Sequence, residues 1–413
     1  MRRYLLFTLF STLFFCFATT IVAQNDRFAY AITDITKEGS SWNALRKLDL
    51  GTGEYSNILL NGIEAKTAVY DALTQKQLNQ QPDAKFGTLM QTPFSTGVAA
   101  AAYDRKNKRL YYTPMFIDQL RYVDLKTMKV YYVTDQAFTA QGSMHNDEAK
   151  CITRMVIAPD GNGYAISNDG KTVVQFTTGK KTKIKQLGTL VDDAANTNVS
   201  IHNRCSSFGG DMIADDKGNL FIISARNQVF KVNIESKVAT HLGAIKGLTP
   251  NFTVNGAVVD GDGNLLVSSA VDGSSYYVVN PKSWEASSFL SSAVYRSSDL
   301  ANSNYLASAS KMTKTIPTLS NRASPFAHQI QVYPNPITTN NFTLQFSKVP
   351  KGDYTVEVMD VMGRSIMQKR IVLNSETTSE SFSLAPTNSK GIYLVKVIDK
   401  AKKSFFEQKV MVQ

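Results

Sequence analysis

The chain has 413 residues, of which 43% are hydrophobic and 19% charged. That is the composition of a folded protein, and it excludes wholesale disorder and an extended coiled coil; the length suits two or three domains. The net charge of +11 has no single basic domain behind it: residues 311–413 hold 14 Lys/Arg against 7 Asp/Glu, the leader adds Arg2 and Arg3, and residues 24–310 hold 29 against 27. A basic excess confined to a leader and a tail is not the footprint of a nucleic-acid partner, and none is expected.

Arg2 and Arg3 precede an apolar run from Tyr4 to Ala18, and the small residue Ala23 follows. A charged start, a short apolar stretch and a small residue make a secretory signal peptide over 1–23. The run is shorter than the ~20 residues a spanning helix needs. Cys16 follows Phe14 and Phe15 rather than small residues, which argues against lipidation. No later stretch is long and apolar enough to span, so the mature chain is expected to carry no transmembrane segment. Two cysteines remain, Cys151 and Cys205. Export favours a disulfide and the lack of any CxxC pattern does not, so both readings stay open.

The body, 24–310, is built from a repeated unit. Residues 100–135, 155–188, 212–243 and 257–290 each read as strand, Asp/Gly/Asn turn, strand, short turn, alternating strand, turn and final strand. Turns such as Asp160-Gly161-Asn162-Gly163 and Asp260-Gly261-Asp262-Gly263-Asn264 are hairpin chemistry, because Gly and Asn accept positive φ at little cost. Four short strands repeating every 40–50 residues predict a β-propeller, since one blade alone cannot bury both its faces. The N-terminus supplies an incomplete unit: Phe28–Thr33, Ala44–Leu50 and Glu54–Leu60. Arg296–Asn302 is the expected first strand of that unit, which closes the ring from both ends of the chain. The count is then five blades, with six as the alternative if Tyr305–Ser310 belongs to another.

The connections between blades are long: 61–95, 136–150, 191–209 and 244–251. Within the first, Ala65–Gln80 has few breakers and reads as helical. All run from a fourth strand to the next first strand, so they gather on one face of a propeller, where binding sites tend to sit. They carry His145, Asn146, Asp147 and Glu148, then His202, Asn203, Arg204 and Cys205. The hairpin alignment sets Arg154, Asp211 and Asn255 at neighbouring positions on three first strands. The candidate binding set is therefore His145, Asp147, Glu148, Arg154, His202, Arg204, Asp211 and Asn255. A polar pocket and a buried hydrogen-bond network that closes the ring are both consistent with these residues.

Recognised catalytic patterns are missing: there is no HExxH, G-x-S-x-G, P-loop or dinucleotide fingerprint. His145, Asp147, Glu148 and His202 lack diagnostic metal spacing, so solvated loop residues are the better reading and no metal is assigned. Asp260, Asp262 and Asn264 resemble the start of a calcium loop but lack its later ligands, which leaves a hairpin turn. Trp42, Trp284 and the pairs Tyr111/Tyr112, Tyr131/Tyr132 and Tyr276/Tyr277 suit packing between blades better than stacking on sugars. No cofactor is indicated.

Through hairpins such as DDKGNLFIIS (215–224), residues 28–306 resemble propellers of the NHL, SMP-30 and YVTN type. Some of these are metal-dependent lactonases or hydrolases and others only bind. The lactonases' acidic and Asn ligands have no position-by-position match here.

Residues 311–330 read as a linker rich in Ser, Thr and Lys. Beyond them, Phe342–Phe346, Tyr354–Asp360, Ser365–Val372, Glu380–Leu384, Ile392–Ile398 and Ser404–Val412 are among seven strand signals of a small Ig-like antiparallel sandwich. The landmarks Tyr333-Pro334-Asn335-Pro336, Gly352-Asp353-Tyr354, Asp360-Val361-Met362-Gly363-Arg364, Gly391-Ile392-Tyr393 and Lys409-Val410 resemble the type A C-terminal sorting domain of the type IX secretion system. The motif positions are Tyr333, Pro334, Asn335, Pro336, Gly363 and Gly391. That resemblance implies the secretion machinery as partner, passage via the periplasm, and release or attachment to surface lipopolysaccharide. The expected protein is all-β, a secreted or surface propeller that binds a glycan, peptide or protein. The alternative is an enzyme of hydrolase, lactonase or lyase type; the missing catalytic pattern favours binding.

Overall fold

The computed structural model describes residues 25–79, 92–140, 147–289, 294–307, 329–360, 365–385, 390–399 and 404–413. The expected signal peptide, most of the expected linker, His145, Asn146 and Gly363 lie outside them. The chain divides into two compact units, Met1–Lys314 and Thr315–Gln413.

The described residues of the first unit form five sheets, each a four-stranded antiparallel meander, two of them with an added parallel edge strand. Their inner strands are Ser297–Ala301 in blade 1, Val98–Asp104 in blade 2, Ile152–Ile157 in blade 3, Asp211–Ala214 in blade 4 and Gly256–Val259 in blade 5. These neighbour one another in that order, and blade 5 returns to blade 1, so the ring is a closed five-bladed propeller. Blade 1 is assembled from both ends: Ser297–Ala301 pairs with Phe28–Thr33, with Ala31 opposite Leu300 and Ile32 opposite Asp299. Among the described residues no further blade follows Ala301. Leu306 makes a single parallel bridge to Asp215.

Each blade presents alternate side chains to its two neighbours, as the two-residue period of a strand requires. Tyr112 packs edge-on against Phe94 towards blade 1, while Tyr111 meets Phe176 of blade 3. Trp284 packs in the interface between blades 4 and 5. The expected turn chemistry is present in detail. Asp215 Oδ1 accepts the Lys217 and Asn219 N–H groups, and Asp260 Oδ1 accepts those of Asp262 and Asn264, so the calcium-like run is a hairpin turn.

The expected helix over Ala65–Gln80 is not there. Val69–Asp71 is a strand, laid parallel on Lys129–Tyr132 at the outer edge of blade 2. Tyr70 then bridges Gln77, and Asp71 Oδ1 caps the intervening turn through Thr74 N–H. A β-branched and aromatic start (Val69, Tyr70) followed by an Asp-led turn is hairpin chemistry, and blade 2 offers an unpaired edge that rewards a strand. Val191–Asp192 does the same for blade 4, parallel to Val238–Ala244. Between blades 2 and 3 a side chain takes over: Gln136 Nε2 donates to Thr182 O at 3.0 Å while its Oε1 accepts Ile184 N–H at 2.9 Å. The long crossovers therefore stitch neighbouring blades together and cover their outer edges.

The second unit is a sandwich. Ile330–Tyr333, Asn341–Phe346 and Thr378–Ser383 form one sheet; Ser365–Leu373, Gly352–Asp360, Gly391–Asp399 and Ser404–Val412 form the other. Its core includes Phe342, Leu344, Phe346, Val356, Val358, Val395 and Val397. The Tyr333–Pro336 segment is fastened to the last strand. Asn335 Oδ1 accepts Met411 N–H at 3.0 Å, Ile337 N–H donates to Met411 O at 2.6 Å, and Gln413 N–H donates to Ile337 O at 2.9 Å.

Candidate functional site

The crossovers and the turns between second and third strands open on the same face of the propeller, because each blade is an antiparallel meander. The first of the two candidate loops is described from Asp147. Asp147 Oδ1 caps the short 3-10 turn Glu148–Lys150 through Ala149 N–H, and its Oδ2 lies 3.6 Å from Lys150 Nζ. In the second loop Asn203 caps the short helix Arg204–Ser207 through Cys205 N–H. The two loops meet: Arg204 Nη2 pairs with Glu148 Oε1 at 2.6 Å on the surface.

His202 stands apart from that pair. Its ring is half-buried, with Nδ1 2.6 Å from the Asp169 carbonyl in the turn of blade 3. Backbone carbonyls only accept, so Nδ1 carries the proton. Asn255 is engaged within blade 5: its Oδ1 accepts Thr253 O–H at 2.7 Å and Ala270 N–H at 3.0 Å.

Arg154 and Asp211 are fully buried. They make no ion pair with each other among the described residues. Arg154 Nη1 donates to the carbonyls of Ser167 and Asn168, and Nη2 to those of Ser207 and Gly209, which ties blade 3 to the crossover that enters blade 4. Burial pulls Arg154 down to about 10, so it keeps its charge at neutral pH. Asp211 accepts Met212 N–H and, across the blade boundary, Ala257 N–H, each at 2.6 Å. Both residues thus hold the ring at the channel.

The sequence alignment missed a third member. Counted back from the hairpin-closing residues Ala158, Asp215 and Asp260, the position of Arg154 and Asp211 belongs in blade 5 to Gly256, not Asn255. In blade 1 it belongs to Asp299, which precedes the channel-lining Leu300. Asp299 is fully buried and faces Asp211, whose negative charge raises it together with burial. The signal was available: Asp299 lies inside the strand expected to close blade 1.

A shallow cleft opens between blades 2 and 3 beside Asp147 and Lys150. Phe116, Ile117 and Phe138 give it apolar wall; Asp118 and Lys150 give it charge. Asp118 Oδ1 accepts Thr139 N–H at 2.6 Å and fixes the rim. Cys151 lies at the floor, and burial pushes its thiol up to about 11. Cys151 and Cys205 are both free. Among the described residues no group of three His, Cys, Asp or Glu side chains is placed to hold a metal, and no helix is long and apolar enough to cross a membrane.

No curated protein matches the sequence. Among solved structures the chain is similar to PorZ, described as a surface component of the type IX secretion system of Porphyromonas gingivalis. The identity is 17%, with 90% of this chain and 49% of that one covered and a TM-score of 0.36. It is also similar to virginiamycin B lyase from Staphylococcus aureus (11% identity, 94% and 96% covered, TM-score 0.31). A protein from Lactobacillus plantarum matches at 14% identity, 86% and 99% covered, with a TM-score of 0.36. The propeller is read from its five sheets and not from these likenesses. Residues 331–413, over which the sandwich of the second unit is built, match the secretion system C-terminal sorting domain. This chain therefore ends in a type IX sorting domain, and it is exported for secretion or attachment at the cell surface.

Proposed function

We propose that the exported propeller is a non-catalytic binding module that takes a small polar ligand, a glycan or a short peptide, at the cleft between blades 2 and 3. The observation that carries this reading is the division of labour among the polar residues of the crossover face. Arg154, Asp211, Asn255 and His202 spend their hydrogen bonds on the fold, whereas the cleft beside Lys150 pairs apolar wall with charge on a fixed rim. Concave, partly apolar sites with a few placed polar groups are the usual form of a ligand pocket. The sorting domain delivers this module; the secretion machinery is the partner of that domain, and lipopolysaccharide is its proposed anchor.

The test is a glycan and peptide array probed with the full mature chain, followed by the Lys150→Ala variant on every hit. A hit weakened about tenfold or more, with unchanged melting, supports the cleft. Hits that all survive the substitution place the binding surface elsewhere.

A further inference from the structure

The layer of the channel that contains Arg154 holds one cation and two carboxyl groups, all fully buried. Asp211 has its donors: the Met212 and Ala257 N–H groups lie 2.6 Å from its two oxygens. For Asp299 the position is reversed. Neither of its oxygens meets a donor in good geometry, although its carboxyl faces the Asp211 carboxyl and the Ala101 N–H of blade 2. Gly256 lets blade 5 pack closely on blade 1 here, since a Cβ there would fall 2.7 Å from Leu300 N. Two ionised carboxylates do not sit face to face in a dry site, and a buried acceptor without a donor is costly.

We infer that Asp211 and Asp299 share one proton at neutral pH, carried by Asp299 and donated to an ionised Asp211, and that this proton helps close the ring. The assignment follows from the donors: the carboxyl that already accepts two N–H bonds is the anion, and the one that accepts none supplies the O–H. It also balances charge, because Arg154 offsets one carboxylate and the proton removes the other. The charged and titratable neighbours are few. Blade 3 contributes Arg154, itself beside Asp169. The blade 5 strands Gly256–Val259 and Leu265–Ser268 carry none. Tyr103 and Asp104 of blade 2 stand at the far end of its inner strand, and Tyr30 on the second strand of blade 1 faces Tyr103.

Burial, and after it the charge of the facing Asp211, raises the Asp299 carboxyl well above the usual aspartate range. In the unfolded chain both carboxyl groups ionise near pH 4. Between about pH 4 and the raised value the folded state therefore holds one more proton than the unfolded state. Stability falls as pH rises through that window, by up to about tenfold in the folding constant per pH unit.

The experiment is thermal melting of the full mature chain at several pH values from 5 to 9, for wild type, Asp299→Asn and Asp211→Asn. An Asn amide at 299 donates to Asp211 without needing a proton, so this variant should fold and lose the slope that the pair contributes. Asn at 211 cannot accept both N–H bonds and should melt lower at every pH. Infrared spectra of the wild type at pH 7 should show the C=O band of a protonated carboxylic acid. An Asp299→Asn variant with the wild-type slope, or a wild type without that band, overturns the inference. So does stoichiometric metal in the wild type that is lost in Asp299→Asn, because a cation then does the proton's work.

Discussion

The Ser297 hydroxyl donates to the Ile32 carbonyl at 2.9 Å and so joins two residues 265 positions apart. This bond marks the seam at which the last strand of the propeller meets its first. Around it Leu300 and Ala301 are buried, and Ser298 Oγ reaches forward to Val98 O of blade 2 at 2.6 Å. Without Ser297–Ala301, Phe28–Thr33 becomes an exposed edge at the channel wall, and a ring cannot share that loss among its other interfaces.

Ring closure gives the first prediction. A chain ended after Ala307 should fold and melt cooperatively, while one ended after Ala293 should aggregate or melt far lower. Circular dichroism and size exclusion on the two truncations check this. Equal melting of both would show that the strand is dispensable.

Arg154 gives the second. Arg154→Met keeps much of the side-chain volume but leaves the carbonyls of Ser167, Asn168, Ser207 and Gly209 without their shared donor. Removing the charged member of a buried network typically costs about 3–5 kcal/mol. The denaturation midpoint should fall accordingly, with the boundary between blades 3 and 4 losing hydrogen-exchange protection first. A loss within about 1 kcal/mol would mean that water replaces the guanidinium at little cost.

Much of this was legible beforehand. The Asp/Gly/Asn turns fixed the hairpins, and the orphan strand Arg296–Asn302 predicted a closure that the pairing of Leu300 with Ala31 realises. The edge strand Val69–Asp71 was not legible, because three residues carry no period and the partner edge exists only once blade 2 has folded. The carboxyl pair escaped for a related reason. Asp211 and Asp299 are brought together by the closure of the ring, and a hairpin alignment that omits blade 1 contains only one of them.

The two residues that the sequence grouped as exposed loop positions should separate on substitution. Arg204→Ala removes a surface ion pair with Glu148, and both side chains are largely exposed. Such pairs are worth about 0–1 kcal/mol, so melting should barely move. His202→Ala removes the ring whose Nδ1–H holds the Asp169 carbonyl in the turn of blade 3. Loss of that bond and of the half-buried ring should cost about 1 kcal/mol or more. Urea titrations of the two variants give the comparison; equal effects would show that the His202 contact contributes nothing.

The two body thiols should differ sharply in reactivity. Cys205 sits exposed on the short helix Arg204–Ser207, while Cys151 is buried at the start of blade 3, below the cleft. Only the thiolate attacks an alkylating agent. Burial raises the Cys151 thiol to about 11, so at pH 8 it is almost wholly protonated as well as covered. The native mature chain at pH 8 should therefore take up iodoacetamide quickly at Cys205 alone, and at Cys151 only after denaturation. Peptide mass spectrometry after timed quenching reads both sites. Rapid labelling of Cys151 in the native chain would show that the cleft floor opens to solvent, and a disulfide linking Cys151 to Cys205 in the purified protein would contradict the free thiols directly.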